Sequence, residues 1–127
     1  MERKELAVSY KHNGHNCAQA VLCAFANLTD YSEDELRKIG AAFGTGMGCL
    51  GVTCGALCGA QMLLSLARYN GRPIARDSAS LFKAFEQKCG ATICGELKGV
   101  GTGKVLCECD DCVRNAVELI EPIMDGV

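Results

Sequence analysis

Gly51-Val-Thr-Cys54-Gly55-Ala-Leu-Cys58-Gly59-Ala-Gln-Met-Leu-Leu-Ser-Leu66-Ala-Arg-Tyr69 is the most apolar run in the chain, and its reading decides the fold class. It is too short and too rich in glycine for a membrane span, which needs about 20 predominantly apolar residues. A run that is apolar on nearly all sides predicts a buried helix, here over residues 52–69, placed at the centre of a bundle. Asn70-Gly71-Arg-Pro73 ends it. Gly51, Gly55 and Gly59 fall on one face of that helix, where missing side chains let a neighbouring backbone or an inorganic group come close. Glycine inside a helix costs about 1 kcal/mol relative to alanine and needs such a reason, but spacing alone leaves the two readings level.

Helical patterns continue on both sides. Leu6, Val8 and Tyr10 stand among charges in residues 2–11, and Asn13-Gly14 stops that segment. Asn16 can cap a second helix opened by Cys17, with Gln19 three residues on and Ala20, Val21, Ala24 and Leu28 at helical spacing. Ser32 and Glu35 form a capping box for a helix over residues 33–43, with Tyr31 able to staple onto Leu36. Leu81, Phe82 and Phe85 mark one face of residues 77–88. Cys94 to Leu97 reads as a short turn, and Val113, Ala116, Val117, Ile120 and Ile123 as the face of a final helix capped by Asp110 or Asp111. No stretch alternates with period two and no linker divides the chain. The expectation is an all-α fold: one domain over residues 1–127, an irregular bundle of five or six helices around the glycine-rich apolar helix.

Composition narrows the function. A chain of 127 residues with 49% hydrophobic content buries roughly two thirds of its unfolded surface and needs no covalent staples. Its net charge of -2 is spread without a basic stripe, so nucleic acid is not an expected partner. The opening Met1-Glu-Arg-Lys-Glu holds no apolar stretch of the secretory kind, and the expected location is cytoplasmic. Ten cysteines approach the density of secreted disulfide scaffolds. In a reducing compartment the same density points to metal ligation or redox chemistry.

Cys17 and Cys112 open helices on this reading, and Cys54 does so if Thr53 caps the central one. Unpaired amides and the positive end of the helix dipole stabilise a thiolate there, the form that binds metal or attacks a disulfide. Cys23, Cys58 and Cys89 also fit the plain role of free cysteine, packing as a small hydrophobe. Cys107-Glu-Cys109-Asp-Asp-Cys112 contains a single C-x-x-C, with neither the second pair of a zinc ribbon nor the strands of a thioredoxin-type site around it. Glu108, Asp110 and Asp111 surround these thiols with negative charge, which raises a thiol's pKa and favours a ligated cation over a metal-free nucleophile. Gly46-Met-Gly48-Cys-Leu-Gly51 matches G-x-G-x-x-G without the preceding strand that dinucleotide binding requires. His12 and His15, beside the second helix, read first as solvated surface residues.

Cys17 in Asn-Cys-Ala-Gln-Ala-Val, the segment Cys54-Gly55-Ala56-Leu57-Cys58-Gly59, Cys94 in Ile-Cys-Gly-Glu-Leu-Lys-Gly and Cys112 at the final helix resemble a known family. It is the redox-active C_GCAxxG_C_C family, and the resemblance spans nearly the whole chain. It implies an all-helical redox domain with four hallmark cysteines, here Cys17, Cys54, Cys94 and Cys112. A similar domain in split-Soret cytochromes resembles an iron-sulfur module, so the resemblance implies an iron-sulfur cluster, most simply 2Fe-2S, held by those four for electron transfer. Zinc on the same four thiols, and metal-free thiol-disulfide chemistry through pairs such as Cys54/Cys94 or Cys109/Cys112, stand as alternatives. The implied activity is that of an oxidoreductase or its accessory, acting with a redox partner protein. A homodimer is compatible with its size. The roles of Cys23, Cys49, Cys58, Cys89, Cys107 and Cys109 stay open, with Cys109 competing with Cys112 and Cys58 one helical turn from Cys54.

Overall fold

Two capping boxes organise the first half of the molecule. Asn16 Oδ1 accepts the Gln19 N–H at 2.8 Å while Gln19 Oε1 accepts the Asn16 N–H at 2.8 Å. The same exchange links Ser32 and Glu35 at 3.1 and 2.9 Å. Each satisfies donors that a helix start otherwise leaves bare. In the computed structural model, which describes residues 1–126, they open α2 (Cys17–Ala24) and α3 (Glu33–Gly40). Asn16 also holds the far end of α3, its Nδ2 donating to the carbonyls of Gly40 and Ala41 at 3.1 and 3.2 Å. A 3-10 turn, Ala41–Phe43, then tightens the exit from α3.

The remaining elements are α1 (Arg3–His12), α4 (Gly55–Arg68), α5 (Ala75–Cys89), α6 (Cys94–Lys98) and α7 (Cys109–Gly126). Among the described residues seven α-helices therefore replace the expected five or six, because the Cys94 segment closes a full helical turn and Gly99, at φ +80°, ends it. The chain is all-helical. Among the described residues the sole β-type pairing is an isolated antiparallel bridge between Thr53 and Ile93.

That bridge corrects the start of α4. Residues 52–54 do not join the helix: Cys54 donates its N–H to the Thr92 carbonyl at 2.7 Å, and Val52 accepts the Cys94 N–H at 2.9 Å. Cys54 itself takes the cap position that Thr53 was expected to hold, and Gly51 lies outside the helix. Gly55 and Gly59 remain, and their face is occupied by protein. A Cβ on Gly55 would meet the Phe43 carbonyl oxygen at 2.6 Å, and one on Gly59 the Ala18 carbonyl oxygen at 2.9 Å. Of the two readings of those glycines, close backbone packing is the one observed. The last turn of α4, Ser65 to Arg68, is exposed.

The core forms where α4 packs against α2, α7 and α5, with α1 laid across α2 and α7. Leu22, Leu57, Leu63, Leu64, Phe25, Phe85, Val113, Val117 and Ile120 are all sealed from solvent, each large side chain contributing about 1.5–3 kcal/mol of burial. Arg3 ties the outer layer to this core: it lies 4.7 Å over the Phe25 ring, donates to the Ala24 carbonyl at 2.6 Å and pairs with Glu121 at 3.1 Å. Among the described residues no helix is long and apolar enough to cross a membrane.

Candidate functional site

The helix starts converge. Cys17 is the first residue of α2, Cys54 caps α4, Cys94 opens α6, and Cys109 and Cys112 lie in the first turn of α7. The Thr53–Ile93 bridge draws the starts of α4 and α6 side by side, and the fit of Gly55 and Gly59 against Ala18 brings in the start of α2. Together they enclose a cavity of about 20 Å³, lined by Cys17, Cys54, Cys94, Cys107, Cys109 and Cys112 with Thr45, Gly55, Leu97 and Lys98. That is room for about one water molecule. All four cysteines expected from the sequence thus face one space, joined there by Cys107 and Cys109.

The loop that closes this space is held under strain. Thr45, Met47 and Leu50 all have positive φ, 52°, 56° and 63°, although none is glycine. Left-handed backbone costs a non-glycine residue roughly 1–2 kcal/mol and persists only where the surroundings impose it. Here Gly95 donates its N–H to the Leu50 carbonyl at 2.7 Å and Leu50 donates to Thr45 at 3.1 Å. A Cβ on Gly46 would stand 2.7 Å from Cys94 Cβ, so glycine is required for the loop to lie against that cysteine.

The thiols interact as two groups. In the first, the Cys17 thiol hydrogen-bonds Cys109, which drops to about 6 chiefly through that bond, helped by Lys98 and Lys11, while Cys17 is pushed up by giving the bond and by burial. In the second, Cys112 keeps its proton, pushed up by its bonds to Cys54 and Cys89 and by burial. Cys54 is held down first by the Cys112 thiol and then by the amides of Ala56 and Leu57. Cys89 is drawn down to about 6 by Cys112, then by Asn115 and Cys107. Burial pushes Cys107 up to about 11 and raises Cys94, the latter partly countered by Lys98. Six thiols sharing protons in this way can release them as they take up a cation.

Acidic charge does not dominate here as the sequence suggested. Asp110 is engaged by Lys11 at 3.4 Å and by His12 Nε2 at 2.7 Å, and Asp111 by Arg114 at 2.9 Å. Lys98 and Lys11 therefore outweigh Asp110 at Cys109. Neither histidine lines the cavity. His15 packs on Tyr10 with ring centroids 4.9 Å apart, and its Nδ1 has no hydrogen-bond partner.

The remaining cysteines divide. All ten are free thiols. Cys23 is buried with its Sγ 3.7 Å from the Glu33 carbonyl, Cys58 turns to the Thr53 carbonyl at 3.8 Å, and Cys49 is exposed. Cys89 packs in the core as read for it, and its sulfur and those of Cys107 and Cys112 also lie within 4.8 Å of one another, a group able to hold a metal ion. Lys98 and Thr45 were also not legible as site residues. Nothing in their local sequence marks them, since they reach the cavity only through the placement of α6 and the Gly44–Leu50 loop.

A model of the family described as "Putative redox-active protein (C_GCAxxG_C_C)" matches residues 15–123. The chain belongs to that family. No curated protein and no solved structure matches it.

Proposed function

From its membership of the C_GCAxxG_C_C family, we propose that this protein is an electron-transfer or redox-accessory protein holding an iron-sulfur cluster, most simply 2Fe-2S, in the cysteine-lined cavity. Cys17, Cys54, Cys94 and Cys112 are the ligands in this reading. One observation carries it: six thiols, five from the starts of four helices and Cys107 from the loop before α7, line one space, and no carboxylate or imidazole is among the lining residues. Such a donor set suits iron-sulfur clusters and zinc and is wrong for hard cations. A bound cluster supplies a one-electron couple. The protein's own residues hold it by thiolate, keep water away through the Thr45 loop and Leu97, and set a positive charge beside it at Lys98. The cavity as it stands has room for about one water molecule, so a two-iron cluster would have to widen it.

Anaerobic purification followed by a visible spectrum and assays of iron, zinc and acid-labile sulfide tests the reading. Broad absorbance bleached by dithionite, with equal iron and sulfide, is expected. Cys17→Ser and Cys94→Ser should each abolish it, with Cys23→Ser as matched control. A colourless protein with zinc at the same thiols makes the site structural and overturns electron transfer.

A second reading is favoured by the Cys17–Cys109 pair. The Cys109 thiolate attacks a disulfide of a partner protein, Cys17 then displaces the partner's sulfur, and the partner leaves as a dithiol with its two electrons. It requires a metal-free protein.

A further inference from the structure

Cys89 closes α5, Cys107 ends the loop after α6, and Cys112 sits in the first turn of α7. The fold brings their sulfurs within 4.8 Å of one another, with Cys89 and Cys112 buried and Cys107 half-buried. Metal-thiolate bonds of about 2.3 Å put three sulfurs around one ion about 4 Å apart, so each has less than about 1 Å to travel.

A second observation concerns Asn115, one turn beyond Cys112 on α7. Its Nδ2 donates to Cys89 Sγ at 3.3 Å and to Cys107 Sγ at 3.8 Å. Thiols that merely fill space need no donor aimed at them, since cysteine packs as a small hydrophobe. An amide shared between two sulfurs is the outer-shell contact that orients metal-bound thiolates and disperses their charge.

We infer that Cys89, Cys107 and Cys112 form a second metal site, which takes one soft closed-shell cation of the zinc class with Asn115 as its outer-shell donor. Cys107 and Cys112 also line the cavity, and a thiolate sulfur has lone pairs enough to bridge two metals. Cys89 belongs to the second site alone, and Cys17 and Cys94 to the cavity alone. On binding, the thiols yield their protons to water, the Cys112 Sγ leaves the Cys107 carbonyl it faces at 3.7 Å, and no electron moves.

The test is a titration of the full-length protein, purified anaerobically, with cadmium as the probe. Bound equivalents are counted by native mass spectrometry, and the ultraviolet thiolate-to-cadmium band is recorded. Wild type should bind one more equivalent than Cys89→Ser, while Cys17→Ser keeps that equivalent. Asn115→Leu, which retains every thiol, should weaken binding about 10-fold or more with an unchanged far-ultraviolet spectrum. Equal stoichiometry in wild type and Cys89→Ser, or an Asn115→Leu affinity equal to wild type, overturns the second site. If the cavity holds no cluster, Cys17→Ser loses no visible absorbance, yet Cys89→Ser still loses its equivalent. The two readings therefore fail separately.

Discussion

A Cβ on Gly59 would stand 2.9 Å from the carbonyl oxygen of Ala18, so the backbone of α2 occupies the space a side chain on α4 would take. Helix propensity favours alanine at such a position by about 1 kcal/mol, whereas overpacking costs about 1–3 kcal/mol. The nearest atom is main chain and cannot swing aside. Gly59→Ala is therefore expected to lower the urea midpoint, while Gly126→Ala, with nothing within 4 Å, leaves it unchanged. Equal midpoints for both variants would show that α2 can retreat from α4.

Leu63 is sealed from solvent on the same helix, α4. Leu63→Ala should cost about 2–5 kcal/mol, since the lost transfer energy is joined by a cavity the helices cannot close. Thermal unfolding monitored at 222 nm measures it, and a cost below about 1 kcal/mol would mean the bundle collapses around the gap.

Acid should weaken the contact of α1 with α7. Arg114 holds Glu5 below the ordinary carboxylate range, and Lys88 with Lys4 does the same for Glu118. A carboxyl whose folded pKa is depressed contributes stability above its unfolded value, near 4.5, and loses it as pH falls through the folded value. Urea midpoints should fall from pH 6 to pH 3, and the double variant Glu5→Gln/Glu118→Gln should flatten that fall. A slope unaltered in the variant would assign acid sensitivity to other groups.

Cys109 should stand out among the reachable thiols of the reduced, metal-free protein, since Cys89, drawn down equally, is buried. Its pKa of about 6 leaves it mostly thiolate at pH 7, whereas Cys23 and Cys107, each raised to about 11, remain protonated. Iodoacetamide at pH 7 should modify Cys109 well before those two, as mapped by peptide mass spectrometry. Below about pH 6 the rate should drop tenfold per unit, and Cys17→Ala should move the profile upward because the Cys17 thiol is the largest cause of the shift. A Cys109 midpoint near 9 would remove the pair from consideration.

Lys98 lines the cavity and acts on both Cys94 and Cys109. A cation beside a redox centre stabilises its reduced form, so if the cavity holds the proposed cluster, Lys98→Met should lower its reduction potential in an anaerobic titration. Asp110→Asn should change it less, because Asp110 is already engaged by Lys11 and His12. The reverse order would mean that the acidic residues govern the site.

The helices with capping chemistry were legible residue by residue. Asn16/Gln19 and Ser32/Glu35 act within three residues of each other, so nothing distant is needed to recognise them. The apolar pattern starts α4 three residues before the helix does, because residues 51–54 continue the apolar run without joining the helix. Their backbone is claimed by Thr92 and Cys94, some forty positions on, and local pattern carries no trace of that.

By itself the sequence determined an all-helical chain and the order of its main elements, because caps and 3.6-residue periodicity are local properties, and the resemblance through Cys17, Cys54, Cys94 and Cys112 pointed to its family. Tertiary structure decided that these four thiols line one cavity, that Cys107 and Cys109 join them, and that Cys89, packed in the core, meets Cys107 and Cys112. Those groupings depend on where helix ends land, and helix ends land where α2, α4, α5 and α7 can bury their apolar faces together. Burial is non-directional along the chain, so the same local signals leave the meeting of distant thiols undetermined until the core is packed.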